Sequence, residues 1–357
     1  GDVEMNTAIS TVASTTAAPV LERSEGVWHA AWRRFKADRV GVVALVVVIA
    51  FLVLIALSAL GLVARGWQKE VGVPNAPPAF MGPAPAAATA AIEMPKGPNV
   101  DLSAIDPLAP RYAEWEERAK KLGSSEPPKA QTLPLGGDRL GRDVLSKAIK
   151  GTEISVFVGV MAAVVATLIG TLMGAVSGFF GGKVGDALEW LYNVFEAIPS
   201  ILLIFAFAAV LGRGIGTVVI ILGLTGWTGL YRQVRAEFMK HRGREYVRSA
   251  EAIGASVGSR MFRHILPNIS HVVLVRMSLL VVGFIKAEVI LSYLGLGVSI
   301  DQVSWGTMLS ESQAELILGY WWQLVAATGF MCVFVTAFSL MADAMRDALD
   351  PKLRGLE

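Results

Sequence analysis

Six long apolar runs punctuate this chain, at 40–64, 153–178, 185–211, 215–232, 271–295 and 321–345, with polar segments between them. The first run contains no charged residue. At about 1.5 Å of rise per residue it is long enough to cross a hydrocarbon layer of about 30 Å. The pattern predicts an all-α, polytopic membrane protein with six transmembrane helices. Within the second run Gly170, Gly174 and Gly178 recur every fourth residue, a stripe that lets another helix backbone approach closely. Gly223, Gly226 and Gly229 in the fourth run suit either close packing or local unwinding. Pro199 should kink or break the third, because proline lacks an N–H and its ring clashes one turn back.

Composition agrees with that pattern. With 54% apolar residues, 17% charged residues and a mean hydropathy of +0.53, the 357-residue chain is too apolar for a soluble domain. The net charge of +2 says little about partners, whereas the placement of basic residues sets an orientation. Trp28, Trp32, Arg33, Arg34, Lys36 and Arg39 close a polar arm, 1–39, just ahead of the first span. A basic loop at 236–270 and its flanks carry Arg232, Arg235, Lys240, Arg242, Arg244, Arg248, Arg260 and Arg263, while 297–320 has no Lys or Arg. The positive-inside rule puts the first of these loops in the cytoplasm and the second outside. Both termini are then cytoplasmic, including the 351–357 tail that follows a transmembrane core at 134–350.

The 40–64 run is longer than a signal-peptide core and reads as a retained anchor. Residues 65–133 read as an external insertion: a Pro/Ala-rich, semi-rigid linker followed by a charged helical piece from Tyr112 to Lys121.

Candidate chemistry concentrates in Glu245 to Asn268, a basic, mostly polar helical stretch between apolar spans. Gly254 permits a bend between two short helices, and Leu266-Pro267 closes the segment. A helix over Glu251 to Phe262, with small side chains at Ala252 and Ala255 and at Ala250 just ahead of it, suits docking into a partner's groove, and Arg248, Glu251 and Arg260 would orient it by rim charges. The competing reading is an amphipathic helix lying on the membrane surface.

Glu189, Glu196, Arg276, Lys286 and Glu288 lie in or beside apolar runs, where a central charge costs about 2.5–3.5 kcal/mol on insertion scales. They are expected to face the protein interior. Structural pairing or interfacial snorkelling is the simpler reading for them. Contact with a solute or gate is the alternative, for Glu288 with Ser292 and Tyr293 above all.

Several features carry no chemistry. Phe180 to Val184 has the flavour of a phosphate loop but lacks its Ser/Thr and leading Gly, so the chain should not bind ATP itself. Asn268-Ile269-Ser270 is a glycosylation sequon on the side assigned to the cytoplasm. His264 and His271 have no Cys or carboxylate at metal-ligand spacing, and Cys332 reads as a small packing residue. No catalytic constellation stands out, so neither enzyme chemistry nor a cofactor is expected in this chain.

The 245–268 stretch resembles the EAA loop of binding-protein-dependent ABC import permeases, whose pattern is Glu-Ala-Ala, three residues, Gly, nine residues, Ile-x-Leu-Pro. Gly254 and Leu266-Pro267 fall at that spacing, whereas Arg248-Ser249-Ala250 replaces Glu-Ala-Ala and His264 replaces Ile. These departures resemble the dipeptide and oligopeptide branch, which shows a Gly-Ala-Ser turn, here Gly254-Ala255-Ser256, and His-Ile-Leu-Pro-Asn, here His264 to Asn268.

Three further stretches resemble the second, C-type permease of that branch. They are Leu135 to Ser146, Glu288 to Gly297 with Ser304 to Leu309, and Asp343 to Leu353. Gly137 stands where Thr is usual and Lys150 where Tyr is usual. The likeness spans most of 135–357 and is poorest at 65–133.

The resemblance implies a type I importer (MetI-like) fold in a bacterial inner membrane, importing short peptides. The implied partners are a homologous second permease, two cytoplasmic ATPases holding ATP and Mg, and an external solute-binding protein, with no nucleic acid. It implies ATPase-coupling roles for Arg248, Ala250, Glu251, Ala252, Gly254, Ala255, Ser256, His264 and Pro267. Nickel, glutathione or a peptide antibiotic as solute is the nearest alternative. An ion-coupled secondary transporter is a more distant one, since it should show inverted repeats.

Overall fold

The computed structural model describes residues 27–83, 106, 108, 111–122 and 129–349. Among them the architecture is helical, with a few isolated β-bridges. The principal helices are α1 (Val27–Ala37), α2 (Arg39–Ala59), α3 (Tyr112–Leu122), α4 (Val144–Phe180), α5 (Gly182–Glu196) and α6 (Ser200–Leu211). They continue with α7 (Ile215–Thr225), α8 (Thr228–Arg242), α9 (Glu245–Ala252), α10 (Leu266–Tyr293), α11 (Trp305–Ile317) and α12 (Trp322–Leu349).

Helices α2, α4 and α12 are each long and apolar enough to cross a membrane. The pairs α5 with α6, bent by 85°, and α7 with α8, bent by 43°, each qualify as one broken span. The 28 residues of α10 bring the number to six, and Arg276, Lys286 and Glu288 set that helix apart by composition. The 85° break falls at Ala197 to Pro199, where proline ends the hydrogen-bond ladder.

Helix α4 is the central pillar, packed against α7, α8 and α10. Its glycine stripe explains the closest of these contacts. A Cβ on Gly170, Gly174 or Gly178 would lie 2.8, 2.8 and 2.5 Å from the carbonyl oxygens of Trp227, Tyr231 and Arg235 respectively. Backbone therefore rests on backbone at every turn. The main apolar core joins α4, α7 and α10 through Ile221, Leu222, Val281 and Ile285, with Trp305 and Phe334 closing it. On the flank α2 pairs with α12, and α1 folds onto the end of α12 through Ala31 and Phe35 against Ala344, Ala348 and Leu349.

Several expectations are corrected here. The 40–64 run is helical only to Ala59, because a turn with Gly61 at φ 70° follows. Span two begins at Val144 rather than 153, because its polar first turns find partners that hydropathy cannot register. Lys150 pairs with Glu153 at 2.7 Å, and Glu153 accepts the Ser58 hydroxyl at 2.6 Å.

Leu266-Pro267 opens α10 instead of closing the loop, since proline fits a helix's first turn. The 297–320 loop contains α11, started by a reciprocal Ser304 and Thr307 capping box. Of the 65–133 insertion, 84–105, 107, 109–110 and 123–128 lie outside the described residues, as do 1–26 and 350–357. Its described ends zip together: Val73 N–H donates to Ala130 C=O at 2.9 Å and Ala79 N–H to Leu133 C=O at 2.8 Å.

Candidate functional site

At one end of the bundle the polar 245–265 segment forms a hairpin-like projection. Val247 and Ala250, three residues apart, are the buried residues of α9, and Val247 packs with Phe238, Met261, Ile265 and Ile269. The helix then stops. Gly254 sits at φ +87°, a region open to glycine at little cost, and a side chain added there would meet nothing within 4 Å.

Gly254 N–H donates to Glu251 C=O at 2.9 Å, and Ala255 N–H to Ala250 C=O at 2.9 Å, which closes the turn. Ser256 restarts the helix by accepting from Ser259 N–H at 3.3 Å. A wide helical turn, Arg260–Ile265, then runs into α10 without a break. The second arm of the projection, from Val257 onward, and span five are therefore one continuous element.

This placement revises the expected docking face. Glu251 to Phe262 is two helical pieces around a tight turn, not one helix. Ala250 is buried, so it serves the projection's own core, and only Ala252 and Ala255 remain toward the surface. Arg260 pairs with Glu251 at 2.6 Å and lies over the Phe179 ring at 5.5 Å, so both charges brace the turn instead of forming a free rim. Arg248, Ser256 and Pro267 are exposed, and the His264 carbonyl accepts from Asn268 Nδ2 at 2.6 Å.

Sequence reasoning passed over Ile253, which is 86% exposed at the tip of the turn, with Val257 and Phe262 also exposed nearby. Its signal was present: an isoleucine between Ala252 and Gly254 in an otherwise polar loop.

Glu288 is 0% exposed and does not line an open wall. It accepts from Ser155 Oγ at 2.7 Å and from Ser292 Oγ at 2.6 Å. Ser292 also receives the Val298 N–H at 3.3 Å, while Tyr293 is exposed. The trio thus divides into a buried latch, Glu288 and Ser292, and a surface residue, Tyr293. Lys286, two residues from Glu288, is exposed on this chain, as are Glu196 and Cys332, contrary to an interior placement. Glu189 is half-buried against Arg235 at 3.3 Å.

The breaks in the two bent spans open a recess of about 490 Å³, lined in part by Glu196, Pro199, Gly226, Arg232, Arg276 and Phe284. Broken helices expose backbone at membrane depth only where protein or a cavity accepts it.

At the opposite end, Asp138 gathers the Leu140 and Arg142 N–H groups, each at 2.9 Å, Arg142 Nε at 2.6 Å and Lys147 Nζ at 2.8 Å. Lys147 also donates to Glu311 and, at 3.1 Å, to Gln323, while Arg139 N–H donates to Glu315 at 2.9 Å. Burial pushes the Asp138 carboxyl up, but Lys147 and Arg142 together outweigh it and hold the group below its ordinary 3.8. Burial raises the Glu315 carboxyl above its ordinary 4.5, against the Arg139 N–H and the Lys147 charge. The Leu135 to Ser146 motif is thus a structural cap that ties α4 to α11 and α12.

A family profile described as the binding-protein-dependent transport system inner membrane component matches residues 155–355. The chain belongs to this family. A second profile, the N-terminal TM domain of oligopeptide transport permease C, matches residues 26–78.

Among similar proteins, the oligopeptide transport system permease protein OppC of Bacillus subtilis is 37% identical over 247 residues, 69% of this chain and 81% of that one. The dipeptide transport system permease protein DppC of the same organism is 37% identical over 220 residues, 62% of this chain and 69% of that one. OppC of Escherichia coli is 36% identical over 250 residues, 70% of this chain and 82% of that one. The binding-protein-dependent permease family accounts for the helical bundle and for a transport role rather than an enzymatic one.

Proposed function

We propose that this chain is the C-type permease subunit of an ATP-driven importer of short peptides, seated in a bacterial inner membrane with both termini cytoplasmic. It pairs with a homologous permease, takes peptide from an external solute-binding protein and draws force from two cytoplasmic ATPases that hold ATP and Mg. The observation that carries this reading is the Ile253-Gly254 tip. Leaving an isoleucine in water forfeits about 1.5–3 kcal/mol relative to burying it, so the exposed tip suits a partner's groove.

The tip rests on a packed apolar core and continues into α10, so a push on it is delivered to span five. Span five in turn grips α4 through the Glu288 latch, and the bundle tilts as a unit between two arrangements. The names of the similar permeases, for oligopeptides and dipeptides, support peptide as the solute.

The test is reconstitution of the chain with its neighbouring permease, ATPase and receptor chains into proteoliposomes. ATP-dependent uptake of labelled short peptides is expected. Uptake without the ATPases, or uptake of nickel alone, contradicts the reading.

A further inference from the structure

The recess between the two broken spans contains three charged side chains, Glu196, Arg232 and Arg276. Among the described residues, none of the three has an ion-pair or hydrogen-bond partner within this chain. Arg276 lies about 15 Å along α10 from its start, well inside a membrane-crossing helix. An arginine at such depth is costly unless something matches it.

Its position is nonetheless built. Gly229 supplies the notch that admits its guanidinium, since a Cβ there would collide with Nη2. Nε is shielded and unbonded. Arg276 also lines a second recess with Gln233, His271 and Arg346, and so stands between the two spaces.

A planar guanidinium with unused donors matches a carboxylate in two parallel hydrogen bonds. With Arg232 and a single acid, Glu196, also lining it, the recess carries net positive charge. Building on the peptide-import reading, we infer that Arg276, assisted by Arg232, receives the C-terminal carboxylate of a short peptide crossing this recess. The permease then contributes to solute selection through the free carboxylate, in addition to whatever its receptor selects. As the bundle rocks, Arg276 is the group common to both recesses, so it hands the anionic end from one to the other.

The test compares ATP-driven uptake of one tripeptide as free acid and as C-terminal amide, by the whole transporter carrying wild-type Arg276, Arg276→Gln or Arg276→Lys. Calorimetry of the receptor-free complex with both peptides makes the same comparison without the receptor's selectivity. Arg276→Gln is expected to weaken the free acid about tenfold while moving the amide less than about twofold, and Arg276→Lys should recover part of the difference.

Equal weakening of acid and amide would make Arg276 a structural pairing group, for instance with an acid of the second permease, and would overturn the inference. No change in either peptide would overturn it too. A wild-type transporter that takes neither peptide refutes the peptide reading itself, a distinct outcome.

Discussion

Ser155 Oγ donates to Glu288 Oε2 at 2.7 Å, and the same hydroxyl accepts the Trp305 backbone N–H at 3.2 Å. One hydroxyl therefore ties span two to span five and to the start of α11, inside a core with no exposed atom of Glu288. Buried polar groups of this kind contribute mainly by being satisfied, because an orphaned donor costs about 1–3 kcal/mol. Glu288→Gln keeps a carbonyl acceptor and is expected to retain uptake within about twofold. Glu288→Ala orphans both hydroxyls and should destabilise the assembled complex by about 2–4 kcal/mol, read by thermal melting in detergent. A Gln variant that melts normally but no longer transports would mark Glu288 as a solute or gate group instead.

The glycine stripe makes a steric prediction. Gly174 faces the Tyr231 carbonyl and Val234, so Gly174→Ala should cost about 1–3 kcal/mol and Gly174→Leu should prevent stable insertion or assembly. A change on α10 that meets open space, Gly283→Ala, serves as the control and should be tolerated. Equal behaviour of the two alanine variants in a melting assay would contradict the backbone-on-backbone contact.

The Asp138 and Lys147 pair is buried, and removing Lys147 leaves two carboxylates, Asp138 and Glu311, sharing the single Arg142 cation. Lys147→Met is expected to destabilise by about 3–5 kcal/mol, and adding Asp138→Asn should restore a good part of that. A double variant no better than the single one would place the defect in packing around the side chain instead.

The same cap should respond to pH. Asp138 has a lowered pKa in the fold, so its contribution is present above 3.8 and is lost as pH falls through the still lower folded value. Glu315 has a raised pKa, so its protonated form suits the fold. Its contribution is full below 4.5 and disappears as pH rises through the higher folded value. Glu315→Gln keeps an acceptor for Arg139 N–H and removes the buried charge. It should be at least as stable as the parent at pH 7 and lose that advantage near pH 4, measured as melting temperature against pH. A constant offset at both pH values would contradict a titrating Glu315.

The fold was legible in the sequence where one physical rule dominates. Apolar runs marked the spans, Pro199 marked a break, and Gly170, Gly174 and Gly178 marked the tightest helix contact. Hydropathy failed where tertiary partners neutralise charge. Lys147 and Glu153 sit in the first turns of α4 and look like loop residues until Asp138 and Ser58 are beside them. Helix α11 lay inside a segment read as an external loop, although Ser304 and Thr307 spelled its cap.

At the candidate site, the bend at Gly254 was readable from its residue type. The burial of Ala250 was not, because small residues look alike on either face until the Val247 and Ala250 spacing is set against the folded helix. The recess with Arg276 was out of reach for the same reason: three charges distant in sequence meet only when two spans break side by side.

The most direct measurement places a cysteine at position 253 of an otherwise cysteine-free chain, Ile253→Cys with Cys332→Ser, in the assembled transporter. A short bifunctional thiol reagent is then applied with and without ATP. The account predicts a cross-link from position 253 to an ATPase subunit whose yield changes with nucleotide. A complex that assembles and transports fully yet gives no such cross-link would contradict entry of the driving force through this tip.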